Sequence, residues 1–86
     1  MSYSFEDISG DGQLAIQGDL EMLREDLISE LQVINQYEGH ILSLDNEDAV
    51  ATLEHIVEEE KEHVAELLRL IQNLDAAQAE KLRRIF

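Results

Sequence analysis

Glu60-Lys61-Glu62-His63 sets a carboxylate and an imidazole three residues apart, and a further carboxylate, Glu30, lies upstream in a second helical pattern. Positions i and i+3 share a helix face, so Glu60 and His63 can reach one ion together. Their donors are oxygen and nitrogen with no sulfur, a set that suits iron or manganese; zinc or calcium could take the same donors in place of iron. A Glu-x-x-His pair by itself arises readily in acidic helices. What sets these three residues apart is where they fall in the apolar pattern around them.

Asp19 is suited to cap a helix that begins at Leu20. From there a heptad runs through Leu20, Leu23, Leu27, Glu30, Ile34, Tyr37, Ile41 and Leu44. Every position is apolar or aromatic except Glu30. LDNED, residues 44–48, interrupts the pattern, with Asp45 and Asn46 suited to a turn and Asn46 or Asp48 to capping the next helix. A second heptad then runs through Ala49, Leu53, Ile56, Glu60, His63, Leu67, Leu70 and Leu74, and is polar only at its centre. Val50, Val57, Val64 and Ile71 widen its apolar face on one side. Asp75 caps a short last helix, AAQAEKLRRIF, whose basic residues suit a helix C-terminus.

The fold class expected is therefore all-α: an antiparallel hairpin over 19–86 with a short terminal helix. Residues 1–18, rich in Ser, Gly and Asp, read as a flexible or short-helical arm. Within the arm Asp7-x-Ser9-x-Asp11-Gly12 partly copies a calcium-loop spacing. The twelfth position of such a loop needs a bidentate Glu and here is Gly18, so a turn-rich leader is the better reading. Two helices cannot cover both of their own apolar faces, and the simplest remedy is a homodimer that closes a four-helix bundle.

In that hairpin Glu30 lies about 15 residues before the turn, and Glu60 and His63 lie at the matching depth after it, at about 1.5 Å of rise per residue. They meet inside the core. A buried unpaired carboxylate costs several kcal/mol, and the three groups of each chain hold too few donors to satisfy one another. Divalent cations resolve this. Di-iron carboxylate bundles use a Glu from each of two helices and a Glu-x-x-His from each of two others. One chain supplies half of that set and a two-fold axis the rest. Two metals held together can deliver two electrons to an oxidant, and hard carboxylates favour Fe(III) over Fe(II).

Charge narrows the partners. Twenty acids against six bases leave a net −14, which repels nucleic acid and attracts cations. Half the bases, Lys81, Arg83 and Arg84, fall within the last six residues. The absence of cysteine leaves the redox compartment undecided; with no apolar run of membrane-span length and no signal-peptide core, a soluble cytoplasmic protein is expected.

SELQVINQYE in the first helix and LEHIVEEEKEHVAELL in the second resemble the encapsulated ferritin family, ferritin-like proteins whose subunits are single hairpins. The likeness runs from Asp19 to the C-terminus. A Glu seven residues before a Tyr matches Glu30 and Tyr37; a His five residues ahead of Glu-x-x-His matches His55, Glu60 and His63. The resemblance implies a ferroxidase that oxidises Fe(II) with dioxygen, with Glu30, Glu60 and His63 as iron ligands from two chains. Tyr37 and His55 would stand beside the ligands without binding the metal. It also implies a ring of dimers, typically a decamer, housed in an encapsulin shell that stores the oxidised iron. Members usually carry a C-terminal targeting peptide, whereas here the short helix leads directly to Phe86. Gln32 stands where the family often has a carboxylate on iron's route inward. Two other readings fit the same residues: an acidic hairpin that dimerises or adapts a partner without catalysis, and a di-iron peroxidase.

Overall fold

A computed structural model describes residues 12–86, which form three α-helices: α1 (Gln13–Ser43), α2 (Glu47–Leu74) and α3 (Ala76–Ile85). α1 and α2 pack side by side along their length as an antiparallel hairpin, and α3 folds against α2. This is the expected all-α hairpin with a short terminal helix.

The helix boundaries follow from capping chemistry. The Asn46 side chain accepts a 2.8 Å hydrogen bond from the Ala49 amide, so Asn46 rather than Asp48 caps α2. Glu47 and Asp48 occupy the first turn, where the helix dipole favours acids. Asp75 serves two helices at once. Its amide donates to the Ile71 carbonyl at the end of α2, while its carboxylate accepts from the Gln78 amide at 3.0 Å and starts α3. A second oxygen of Asp75 accepts from Arg24 Nη2 at 2.9 Å, tying the junction to α1.

One boundary differs from the sequence expectation. α1 begins at Gln13, not at an Asp19 cap, and runs through Gly18 without a break. A cap residue acts only where the chain leaves the helix, and Leu14, Ala15, Ile16 and Gln17 are adequate helix formers. Gly18 and Gly39 both sit in helix with open space beside them, so each costs about 1 kcal/mol without breaking it. The calcium-like stretch from Asp7 lies outside the described residues up to Asp11, and Gly12 and Gly18 belong to the start of α1.

The core is a single seam. Leu20, Ile34, Val57 and Ile71 are buried, with Leu23, Leu27, Leu53, Val64 and Leu67 half-buried around them. On α1 the deepest residues, Leu20 and Ile34, both lie on the heptad. On α2 the seam is rotated toward the flank: Val57 and Ile71 are 4% exposed, whereas Leu70 and Leu74 of the heptad are 47% and 38% exposed. The reason is geometric. One neighbouring helix covers one side of a wide apolar face and leaves the other side, carrying His63, Leu70 and Leu74, uncovered. The radius of gyration, 18.1 Å, exceeds the roughly 12 Å of a compact globule of this length, as befits two long helices laid side by side.

Candidate metal centre

Near mid-length of the seam the three polar heptad residues converge. Glu30 comes from α1, Glu60 and His63 from consecutive turns of α2, and one ligand atom from each lies within 4.8 Å of the others. His63 Nδ1 is 3.7 Å from Glu30 Oε1 and 3.6 Å from Glu60 Oε2. These separations are too long for hydrogen bonds. They match the spacing of donors sharing one ion, since two atoms each about 2.1 Å from a metal stand about 3–4 Å apart.

Burial is graded across the three. The side chains of Glu60 and Glu30 are 18% and 26% exposed, and that of His63 is 48% exposed. Glu30 Oε2 is buried and without a hydrogen-bond partner among the described residues. An orphaned carboxylate oxygen in such a place is costly unless a cation meets it. The nearest lysine does not. Lys61, inside the Glu-x-x-His motif, turns away to Glu58 Oε2 at 3.4 Å and Glu38 Oε2 at 3.9 Å. The donor chemistry, the spacing and the orphaned oxygen all fit a divalent metal.

Heptad spacing predicts Glu30, Glu60 and His63 at one level, and the hairpin brings these three together. It does not draw His55 in. The His55 imidazole is 72% exposed and pairs with Glu59, Nε2 to Oε1, at 3.4 Å on the outer face of α2. Tyr37 is half-buried two helical turns beyond Glu30, its ring centroid 6.5 Å from that of His40. Two residues outside the heptad argument border the site: Asp26 and Glu66 line an open cleft of about 380 Å³ with Ser29, Glu30, His63 and Leu67. Their signal is present as spacing, since Asp26 precedes Glu30 by one helical turn and Glu66 comes three residues after His63.

No helix among the described residues is long and apolar enough to cross a membrane. No family model and no solved structure matches the chain. Among its relatives, encapsulin nanocompartment cargo protein EncC of Myxococcus xanthus is 47% identical over 57 residues, 66% of this chain and 44% of that protein. Cargo protein EncB of the same species is 34% identical over 68 residues, 79% of this chain and 43% of that one. A ferritin-like-encapsulin shell fusion protein of Pyrococcus furiosus is 38% identical over 64 residues, 74% of this chain and 19% of the fusion. The chain spans less than half the length of the curated relatives it matches. Its relatives are thus proteins of the encapsulin system, two of them cargo and one a shell fusion.

Proposed function

We propose that the chain is a ferroxidase subunit, oxidising Fe(II) to Fe(III) with dioxygen at a di-iron site shared by two copies. It would act as cargo inside an encapsulin compartment in the cytoplasm, where the oxidised iron is stored. The observation that carries this reading is the convergence of Glu30, Glu60 and His63, one donor atom of each within 4.8 Å of the others, with Glu30 Oε2 buried and unpartnered among the described residues. The names of the relatives support the compartment and, through the fusion protein, the ferritin-like part.

Iron is the substrate, and each Fe(II) gives up one electron to the oxidant. The residues' part is electrostatic. Glu30 and Glu60 place hard anionic oxygens where the metal's charge rises, which favours the oxidised ion. His63 adds a neutral nitrogen from the open side of the seam. A second hairpin laid on that side would bury the imidazole and bring its own Glu30, Glu60 and His63, completing the paired carboxylate set. Leu67, Leu70 and Leu74 would then be covered, which keeps the centre dry. Tyr37 and His55 would support the ligands from neighbouring positions in the assembled pair. The paired hairpins would join into a ring of dimers, as a decamer.

The uncovered apolar side also supports a second reading, a hairpin that pairs as an adaptor without catalysis. A peroxidase at the same ligands differs only in its oxidant. Aerobic Fe(II) oxidation by wild type, Glu30→Ala and His63→Ala separates these. Loss of rate in both variants is expected; equal rates in all three would leave the adaptor. Replacing dioxygen with peroxide under anaerobic conditions tests the peroxidase.

A further inference from the structure

Sulfur is scarce in this chain: there is no cysteine, and the two methionines are Met1 and Met22. Met22 is the one among the described residues, and it is 57% exposed. A flexible thioether commonly fills gaps in a core. Here it stands on the surface of α1, where Asp19, Leu23, Asp26 and Leu74 join it around an open cleft of about 380 Å³. Two observations place this cleft on the uncovered side of the hairpin. Leu74 lies on that side with Leu70 and His63. Asp26 lines both this cleft and the one that opens on Glu30 and His63. Met22 therefore belongs to the surface that a second copy would cover, about 12 Å along α1 from Glu30.

The groups around the sulfur are one-sided in their hydrogen bonding. Asp19 and Asp26, three residues before Met22 and four after it, only accept when ionised, and Leu23 and Leu74 have no polar atom to offer. Ser29 and His63 line the neighbouring cleft beyond Asp26, and His63 is a proposed metal ligand. A thioether needs no donor and can be covered by leucines at no polar cost. A sulfoxide needs one. Oxidation turns the side chain polar, and covering its oxygen would strip away water with no donor beside it to take water's place.

We infer that Met22 is a redox-sensitive residue of the pairing face: hydrogen peroxide oxidises it in the unpaired chain, and the sulfoxide keeps that chain unpaired. In the step the O–O bond of the peroxide breaks. One oxygen bonds to the sulfur, which gives up two electrons, and the other leaves as water. Peroxide is also what one dioxygen becomes on taking two electrons from two Fe(II) and two protons, so the product of the proposed reaction would act on chains that have not yet paired. The inference rests on the reading that a second copy covers the side of the hairpin carrying His63. Pairing would then shield Met22 at the moment it completes the metal centre.

The test begins with the metal-free full chain, treated with hydrogen peroxide and then freed of it, with the added oxygen located at Met22 by peptide mass and helicity checked by circular dichroism. Light scattering then follows the mass as Zn(II), which has no redox chemistry, is added at an ionic strength of about 0.15 M, where charges reach only about 8 Å. Untreated wild type is expected to pair. Oxidised wild type should need roughly tenfold or more protein to pair at the same Zn(II), the scale of an unsatisfied buried acceptor. Methionine sulfoxide reductases should restore pairing. Met22→Leu should pair equally well before and after treatment; it keeps Met1 and all three histidines, so it registers any effect of peroxide elsewhere. As a second readout, Zn(II)-loaded wild type should form the Met22 sulfoxide several-fold more slowly than the metal-free chain. Oxidised wild type that pairs like untreated would overturn the inference, as would treated Met22→Leu that fails to pair, or equal oxidation rates with and without Zn(II). Untreated wild type that stays single with Zn(II) would instead remove the pairing reading, and the inference with it.

Discussion

His63 Nδ1 faces Glu30 Oε1 across the hairpin at 3.7 Å, with the second oxygen of that carboxylate buried and unpartnered among the described residues. The imidazole is half-exposed and the carboxylate mostly covered, so the pair straddles the boundary between the closed seam and the uncovered side of the hairpin. An ion bound there would touch both helices.

Replacing Glu30 with Gln should separate stability from metal affinity. Removing the charge relieves repulsion with Glu60, while the amide atom that replaces the buried oxygen still lacks a partner, so the metal-free protein should gain no more than about 1 kcal/mol. The gain in melting temperature on adding Co(II), expected for wild type by mass action, should largely vanish. Thermal unfolding by circular dichroism with and without Co(II) reads both. A metal-free variant markedly less stable than wild type would contradict the account of this oxygen.

His63→Ala should abolish tight metal uptake with little effect on the metal-free fold, since the side chain is half-exposed and makes no hydrogen bond to either carboxylate. Losing a ligand should weaken binding by at least the 10–100-fold that loss of a ligand's support commonly costs. Anaerobic Co(II) titration by absorbance measures it. His55→Ala, which removes an exposed pair with Glu59, should change metal-free stability by less than about 0.5 kcal/mol.

Adjacent residues on α2 should respond in opposite ways. Ile71 is 4% exposed in the seam, and Ile71→Ala should cost about 2–3 kcal/mol in urea unfolding, toward the low end for buried aliphatics because a two-helix seam can relax. Leu70 is 47% exposed on the side with His63. Leu70→Asp should leave a single chain nearly as stable while preventing metal-induced pairing, visible as loss of the mass increase that Fe(II) or Co(II) is expected to produce in wild type. Equal destabilisation by both substitutions would mean the seam is misplaced.

Asp75→Ala should release α3. The carboxylate caps α3 through Gln78 and holds Arg24, so its loss removes both attachments and should cost about 1–2 kcal/mol. Arg24→Ala removes only the half-exposed ion pair and should cost about 0.5 kcal/mol. Limited proteolysis should cut Asp75→Ala near residue 76 well before wild type, with Arg24→Ala in between.

The local code of this chain is legible without coordinates. Apolar residues at spacings of three and four specify two long helices, Asn46 and Asp75 mark where each new helix starts, and the polar interruptions fall at equal distances from one turn. Those features depend on hydrogen bonds and side-chain directions within a few residues, which the order of amino acids already contains. Packing decided the rest. Only the pairing of α1 with α2 could choose which part of a wide apolar face is buried, and it chose Val57 and Ile71 over Leu70 and Leu74. The same choice left His63 at the rim. It also aimed Lys61 at Glu38 across the hairpin, leaving Glu30 Oε2 without a partner among the described residues. Such outcomes are set by the distance and rotation between two helices, a relation that no stretch of one helix encodes alone.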